Sequence, residues 1–345
     1  MNIQDYHVTR TSGAARMAAI LGALVLVVLI AAPWWAGRAD MRLLGEMFLY
    51  LALASLWNLM AGYAGLVSVG QQAFVGFGGY MLFALTIFAG LPPIAAIAMA
   101  GVLGALISVP IAVLIFRLRG AYFAIGTWVI AEVFRLGFAQ ISSLGGGSGS
   151  SLPVAIVKSL ASKRAMRESL SYWLALGAAV LVITAVYLFL RSRKGLALTA
   201  IRDNELAAGS LGIDIWRTKF TVYVVTSALT AMIGALIFLQ KLRISPDAAF
   251  SVNDWTAFVI FIVVIGGIGT IEGPIIGTLV FFALRETLAD LGTIYLIVLG
   301  LVAIVMMLKA PKGIWGLIRS RFDLQLFPLG YRVIAPANTD KTKGT

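Results

Sequence analysis

Side chains able to do chemistry are sparse in this sequence. Most gather in one polar stretch, Arg191 to Lys219, which reads RSRKGLALTAIRDNELAAGSLGIDIWRTK between two long apolar blocks. It carries Arg191, Arg193, Lys194, Arg202, Asp203, Glu205, Asp214, Arg217 and Lys219. Charges of both signs at this density contact water or a protein partner rather than lipid. Leu196, Leu198, Ile201, Leu206, Ala207 and Leu211 recur among them at helical spacing, which predicts a short amphipathic helix preceded by Gly195 and ended at Gly212. The chemistry this element offers is recognition: a charged helical surface on which something docks.

Inside the apolar blocks, polar residues are fewer. Glu132 and Arg135 stand at i, i+3 in one run and can pair on a single helix face. Glu46 lies near the start of another run, and Arg285 and Glu286 late in a third. Intramembrane charge faces a cavity or a partner, so the Glu132–Arg135 pair is either a structural contact between helices or part of a pathway lining. Asn58, Ser68, Gln71 and Gln72 form an uncharged polar set. Such groups suit a route for a polar or zwitterionic solute, and serve equally as hydrogen bonds between helices. No chain of carboxylates forms a proton or sodium relay.

Other chemistries are excluded by residue type. The sequence has no cysteine, so thiol nucleophiles, disulfides and thiolate metal sites are out. The one histidine, His7, precedes the first apolar run, which removes a histidine-based metal or catalytic cluster within the membrane. There is no G-x-x-x-x-G-K-[ST], G-x-S-x-G, H-E-x-x-H or EF-hand loop. No catalytic residue, metal site or bound cofactor is therefore expected, and any ATP must act on a separate subunit.

The elements that position these groups follow from composition. Of 345 residues, 60% are hydrophobic and 12% charged, with mean hydropathy +0.96. That is the composition of an integral membrane protein, and the long runs without alternation predict an all-α one rather than a barrel. The net charge of +12 sits beside the spans and is not a nucleic-acid signal. Spans are predicted at Met17–Trp35, Leu43–Ala61, Val69–Ala89, Ile94–Phe116 and Ala121–Ile141. Others follow at Tyr172–Leu190, Phe220–Leu239, Asp254–Ile268, Pro274–Leu288 and Ile294–Leu308. This makes about ten, each near the ~20 residues that cross ~30 Å of hydrocarbon. The first is expected to be a retained helix rather than a cleaved signal, since no clear A-x-A site follows it. The division is a tail over 1–16, a transmembrane body over 17–310 containing the polar segment 191–219, and a tail over 311–345.

If each span crosses once, Arg10, Arg16, Arg117, Arg119, the 191–219 segment, Lys309, Lys312, Arg319 and Arg321 share one side. The positive-inside rule makes that side the cytoplasm and puts both termini there. The segment Ser142–Ser171 falls on the other side despite Lys158, Lys163, Arg164 and Arg167, and its centre SSLGGGSGSSLP reads as a Gly/Ser linker. It is either a tolerated basic periplasmic loop or a contact surface for a soluble partner.

Glycines concentrate twice: Gly62, Gly65, Gly70, Gly76, Gly78 and Gly79, and again Gly266, Gly267, Gly269, Gly273 and Gly277. Membrane glycines allow close packing or a broken helix, and two broken segments, one in each half, point to an internal repeat along a pathway.

Three blocks together resemble the permease subunits of branched-chain amino acid ABC importers, the LivH/LivM family, and the M-type more closely. They are GYAGLVSVGQQAFVGFGGY (62–80), GLALTAIRDNELAAGSLGIDIWRTKFTVYVVTSALTAMIGAL (195–236) and GGIGTIEGPIIG (266–277). Their order and spacing agree with the family's over roughly residues 40–315. Gln71-Gln72 and Gly79 depart from its usual residues, and the external loop and the tail 324–345 lie outside the likeness.

The resemblance implies a heteromeric importer in a bacterial inner membrane. A second permease subunit of the H-type, two ATPase subunits carrying ATP and Mg, and a periplasmic solute-binding protein would complete it. It assigns docking on the ATPases to 200–212, with Arg202, Asp203, Asn204, Glu205, Ala208 and Gly212 as the coupling residues. From the residues themselves, Asn58, Ser68, Gln71 and Gln72 stand as pathway candidates and Gly62, Gly65, Gly70, Gly266, Gly267, Gly269 and Gly273 as helix-break glycines. Branched-chain or related amino acids are the expected solute, with urea, short amides or aromatic acids as the family's other substrates. The rival reading from the residues is a secondary transporter driven by an ion gradient.

Overall fold

The computed structural model describes residues 7–9, 13–161, 163–288, 292, 294–322, 326–327 and 332–334. Long apolar runs become helices because a helix satisfies every backbone donor and acceptor within its own segment, which lipid cannot do. In chain order they are α1 (Gly13–Ile30), α2 (Ala32–Trp35), α3 (Arg38–Asn58), α4 (Gln71–Ile87), α5 (Pro93–Ile115), α6 (Ala121–Ala139) and α7 (Val154–Leu160). Then come α8 (Arg164–Arg191), α9 (Arg193–Asp203), α10 (Glu205–Ser210), α11 (Ile215–Lys241), α12 (Pro246–Ala249) and α13 (Phe258–Gly266). The last are α14 (Glu272–Thr287), α15 (Ile294–Lys309) and α16 (Gly313–Phe322). Every predicted span overlies helix, and the chain is an all-α multi-pass membrane protein.

Among the described residues, seven segments are long and apolar enough to cross a bilayer: Arg38–Tyr63, Pro93–Ile115, Ala121–Ala139, Arg164–Arg191, Ile215–Lys241, Pro246–Gly266 and Ile294–Arg321. Arg16–Ile30 is a shorter apolar helix, and α4 and α14 have only 17 and 16 residues. The short α4 is sheltered, lying among α5, α6 and α11 with most of its side chains buried.

Helix α11 runs through the centre of the packing, against α4 and α5, while α8 lies along α3 and α13 pairs with α14. Small residues set these contacts. A Cβ on Gly78 of α4 would overlap the backbone of Ala231 on α11, and one on Gly234 of α11 would overlap the backbone of Val75 on α4. Backbone meets backbone only where the side chain is absent. In the second glycine block, Gly266 and Gly277 press α13 against α14 in the same way. Most of these glycines therefore pack helices, and true interruptions occupy only part of each block. Outward, α1, α6 and α15 present apolar faces, as lipid-facing helices do.

The segment read as a Gly/Ser linker is ordered structure. Two short 3₁₀ turns, Ser142–Leu144 and Gly146–Ser148, lead into strand β2 (Ser150–Ser151), which pairs antiparallel with β3 (Arg243–Ile244). The Leu152 amide donates to the Leu242 carbonyl at 2.9 Å, and α7 follows. Gly145 and Gly149 have φ of 89° and 78°, and a Cβ on either would strike a neighbouring carbonyl. These glycines make turns that other residues resist, so their abundance marks a folded corner.

At the other end of the bundle, strand β1 (His7–Thr9) pairs antiparallel with β4 (Arg332–Ile334), which brings the two terminal segments together. The Phe327 amide donates to Glu272 at 3.1 Å and its ring meets Tyr187 with centroids 5.7 Å apart, so Phe327 lies beside the start of α14. The predicted tails are thus partly built, and the remainder of 1–16 and 324–345 lies outside the described residues.

Candidate functional site

The polar segment folds as two helices rather than the single one predicted. Ser192 Oγ accepts from the Gly195 amide to open α9, placing Gly195 inside the helix, packed on Leu190. Asn204 then leaves helical geometry at φ −157°, ψ 106°, and its Oδ1 accepts from the Ala207 amide at 3.0 Å to start α10. An asparagine with that bond caps a new helix and ends the old one. Gly212, at φ 79°, stops α10 as predicted.

This break re-aims the side chains. The apolar positions of the predicted amphipathic helix are split: Leu198, Ile201 and Ala208 are buried, whereas Leu196, Leu206 and Leu211 point outward, Leu206 at 86% and Leu211 at 80% exposure. Ala208 therefore sits inward. Asp203 is paired with Arg202 at 2.9 Å, and Glu205 with Lys219 at 2.9 Å, which ties α10 to α11. Trp216, half exposed and stacked on Phe220 at 4.8 Å, borders the same surface.

Arg202 reaches inward. Its Nη1 donates to the Gly62 carbonyl at 2.8 Å, and its stem lies against Gly65. Gly62 belongs to a π-helical turn, Leu59–Tyr63, that ends α3. The wider turn frees carbonyls from the α-helical ladder. Asn58 clasps the second glycine block at this point: its Nδ2 donates to the Thr270 carbonyl at 2.7 Å, and its Oδ1 accepts from the Gly269 amide at 2.8 Å. A Cβ on Gly62 would lie only 2.5 Å from the Gly269 nitrogen. The two glycine blocks and α9 thus meet in one junction, with Gly267 (φ 133°) and Gly269 (φ 75°) in left-handed geometry. Thr270 closes the turn, donating to the Gly267 carbonyl at 2.8 Å and accepting from the Gly273 amide at 3.0 Å.

After the π turn the chain runs without regular helix to Gly70, and three of its backbone groups are met by side chains. Trp57 Nε1 donates to the Ser68 carbonyl at 2.8 Å, the Val69 amide to Thr127 Oγ1 at 3.0 Å, and the Gly70 amide to Ser68 Oγ at 3.2 Å. Gly70 itself presses on the Thr127 backbone of α6. Gln71 Nε2 donates to the Leu53 carbonyl at 3.0 Å, and Thr256 Oγ1 donates to Gln72 Oε1. Asn58, Ser68, Gln71 and Gln72 are all buried, and the side chains of Asn58, Gln71 and Gln72 bond to other segments of the bundle. Gln71 Oε1 and Gln72 Nε2 have no hydrogen-bond partner among the described residues.

The charged pairs are extended by residues that spacing did not reveal. Glu132 and Arg135 bond at 2.6 Å as expected, and Arg135 also reaches Asp247 on α12 at 2.7 Å. Glu46 of α3 takes two 2.8 Å bonds from Arg285 of α14. Thr127, Asp247, Thr256 and Thr270 were missed because a lone hydroxyl or a loop carboxylate carries no periodic signal. Thr270 alone stood inside a noticed motif. Among the described residues no group of three or more His, Cys, Asp or Glu could hold a metal.

The family described as the branched-chain amino acid transport system permease component matches residues 41–308. The chain is 27% identical over 323 residues to the high-affinity branched-chain amino acid transport system permease protein LivM of Escherichia coli (strain K12), an alignment covering 87% of this chain and 76% of that protein. It is 26% identical over the same length and coverage to the protein of that name in Salmonella typhimurium (strain LT2). A shorter match, 26% identical over 149 residues, covers 40% of this chain and 45% of the probable branched-chain amino acid transport permease protein LivH of Methanocaldococcus jannaschii. No solved structure matches the chain.

Proposed function

As the chain belongs to the branched-chain amino acid transport permease family, we propose that it is the M-type membrane-spanning subunit of an ATP-binding cassette importer that carries branched-chain amino acids across a bacterial inner membrane. Ten crossings are proposed, the seven long ones with α1, α4 and α14, which agrees with terminal strands that pair at one end. By the positive-inside rule the end bearing α9, α10 and both termini is cytoplasmic. Residues 17–310 then form the transport body, with 1–16 and 311–345 as cytoplasmic segments.

The observation that carries the mechanism is the junction of Arg202 with Gly62 and, through Asn58, with Gly269. Of the two ATPase subunits, which hold ATP and Mg, one docks on the outward leucines of α9–α10. Closure of those subunits shifts α9, and Arg202 passes the shift to the ends of α3 and α13. A rigid charged link transmits displacement only if its bonds differ between the two states, which is how docking biases alternating access. Asp203, Asn204, Glu205 and Gly212 hold the docking helices in shape. An H-type permease forms the other half of the pathway, and a periplasmic binding protein delivers the solute.

The test is uptake of labelled leucine by cells carrying the whole system, with unlabelled leucine, urea and benzoate as competitors. Competition by leucine alone supports the amino-acid reading, and competition by urea or benzoate moves the substrate class. Purification of the chain with an ATPase subunit is expected. Uptake by the chain alone, driven by a proton or sodium gradient, would establish the secondary-transport alternative instead.

A further inference from the structure

At the end of the bundle opposite α9 and α10, helices α3, α8 and α11 line a cavity of about 690 Å³, within the range of small-molecule sites. Val157 and Leu160 of α7 border it, and Leu49, Tyr50, Ile237 and Trp255 give it apolar and aromatic walls. Its charged lining is unbalanced: Arg42, Arg164, Arg167 and Lys241 against Glu46 and Glu168.

Both carboxylates are committed to guanidinium groups. Glu168 receives Arg42 at 3.1 Å and Arg164 at 3.2 Å, with Arg38 at 3.5 Å. Glu46 is held by the two bonds from Arg285. Lys241 differs: its Nζ stands 4.6 Å from the centre of the Trp255 ring and 5.8 Å from that of Phe238, and among the described residues no carboxylate pairs with it. An ammonium held by ring faces keeps its N–H donors for an anion. Beside it, Gln240 uses Nε2 on the Ser171 carbonyl at 3.2 Å, which leaves Oε1 to accept.

We propose that this cavity binds a small carboxylate with an apolar body, and, on the reading given above, that its ligand is the incoming branched-chain amino acid after release at the periplasmic face. The α-carboxylate meets Lys241, and the hydrocarbon lies along Trp255, Tyr50 and Leu49. Gln240 Oε1 and the remaining lone pairs of Glu46 accept from the α-ammonium, with Arg285 offsetting the Glu46 charge. The permease subunit thereby has a solute site of its own, separate from the buried Gln71–Gln72 region.

The experiment measures binding to the intact transporter, without its binding protein, in nanodiscs of neutral phospholipid. The probes are leucine, 4-methylpentanoate, which lacks the ammonium, and 3-methylbutylamine, which lacks the carboxylate. Both acids bind more tightly than the amine, and leucine, which carries both groups, binds most tightly. Lys241→Gln weakens both acids about tenfold, as expected for the loss of one charge-assisted bond, while Lys241→Arg stays within about threefold of the parent. Equal affinity in K241Q and the parent overturns the proposal, as does binding of the amine as tight as that of the acids or failure of either acid to bind the parent. A co-purified anionic phospholipid that K241Q loses, with leucine unable to displace it, also overturns it and makes the cavity a lipid site. Leucine uptake by cells separates the two claims: uptake intact with K241Q binding unchanged defeats only the cavity site, whereas no uptake by the parent defeats the transport reading.

Discussion

Arg202 donates a 2.8 Å hydrogen bond to the Gly62 carbonyl, 140 positions away in the chain, so a residue of the polar 191–219 segment is fastened to the end of a transmembrane helix. Its guanidinium also holds Asp203, which fixes its direction. A charge-assisted bond of this kind is worth about 1.5–3 kcal/mol, or roughly tenfold or more in an equilibrium. Arg202→Ala should therefore cut solute uptake about tenfold or more while the ATPase subunits still co-purify. Arg202→Lys, which offers a point charge without the fork, should fall between. Normal uptake by R202A would remove the link from the mechanism.

Asn58 fills two roles at once, giving to Thr270 and taking from Gly269. Alanine there strands a buried donor and a buried acceptor, each costing about 1–3 kcal/mol. Thermal unfolding of the purified complex should show N58A destabilised by about 2–4 kcal/mol, on the same reasoning. Asn58→Asp keeps the acceptor for the Gly269 amide but turns an oxygen toward the Thr270 carbonyl, so aspartate should not rescue. An N58D protein as stable as the parent would mean that the Thr270 bond contributes nothing.

These junction bonds show what the sequence could and could not reveal. Spans were legible because lipid imposes one rule on every residue, and Met17–Trp35 through Ile294–Leu308 all overlie helices. Gly212 and the Glu132–Arg135 pair were legible because their determinants lie within a few residues. The break at Asn204 was hidden, since an asparagine inside a helical pattern caps only when the chain turns there. The inward reach of Arg202 and the partners of Gln72 and Arg135 depend on residues 140, 184 and 112 positions away, which no local pattern encodes. The SSLGGGSGSSLP stretch misled because glycine serves flexible linkers and left-handed turns alike. Only its pairing with β3 decides between them.

The glycines divide by what a methyl group would meet. At Gly78 and Gly234 the added carbon overlaps backbone of the neighbouring helix, which cannot withdraw without parting α4 from α11. At Gly137 of α6 nothing lies within 4 Å. Gly78→Ala should lower stability by about 2–4 kcal/mol through forced separation of packed helices. Gly137→Ala should leave it unchanged or raise it by up to about 1 kcal/mol through helix propensity. Unfolding in a mild-detergent denaturant series checks both, and equal effects at the two sites would contradict packing as the role of Gly78.

The outward leucines give the sharpest test of docking, because the same segment supplies its own control. Leu206 and Leu211 are exposed on α10 and just after it, whereas Leu198 on α9 is fully buried. An exposed leucine has no stability to lose, so Leu206→Asp should leave the melting temperature of the isolated subunit as it was. Under the docking proposed above, that side chain meets the ATPase in the complex, where burying it contributes about 1.5–3 kcal/mol. L206D should thus weaken recovery of the ATPase subunit roughly ten- to a hundredfold, and uptake with it. Leu198→Asp should instead fail before assembly, since a carboxylate enters the contact between α9 and the bundle. Retention of the ATPase by L206D and by a corresponding Leu211→Asp variant would mean that the subunits dock elsewhere. The polar rim of Asp203 and Glu205 would then be the next surface to examine.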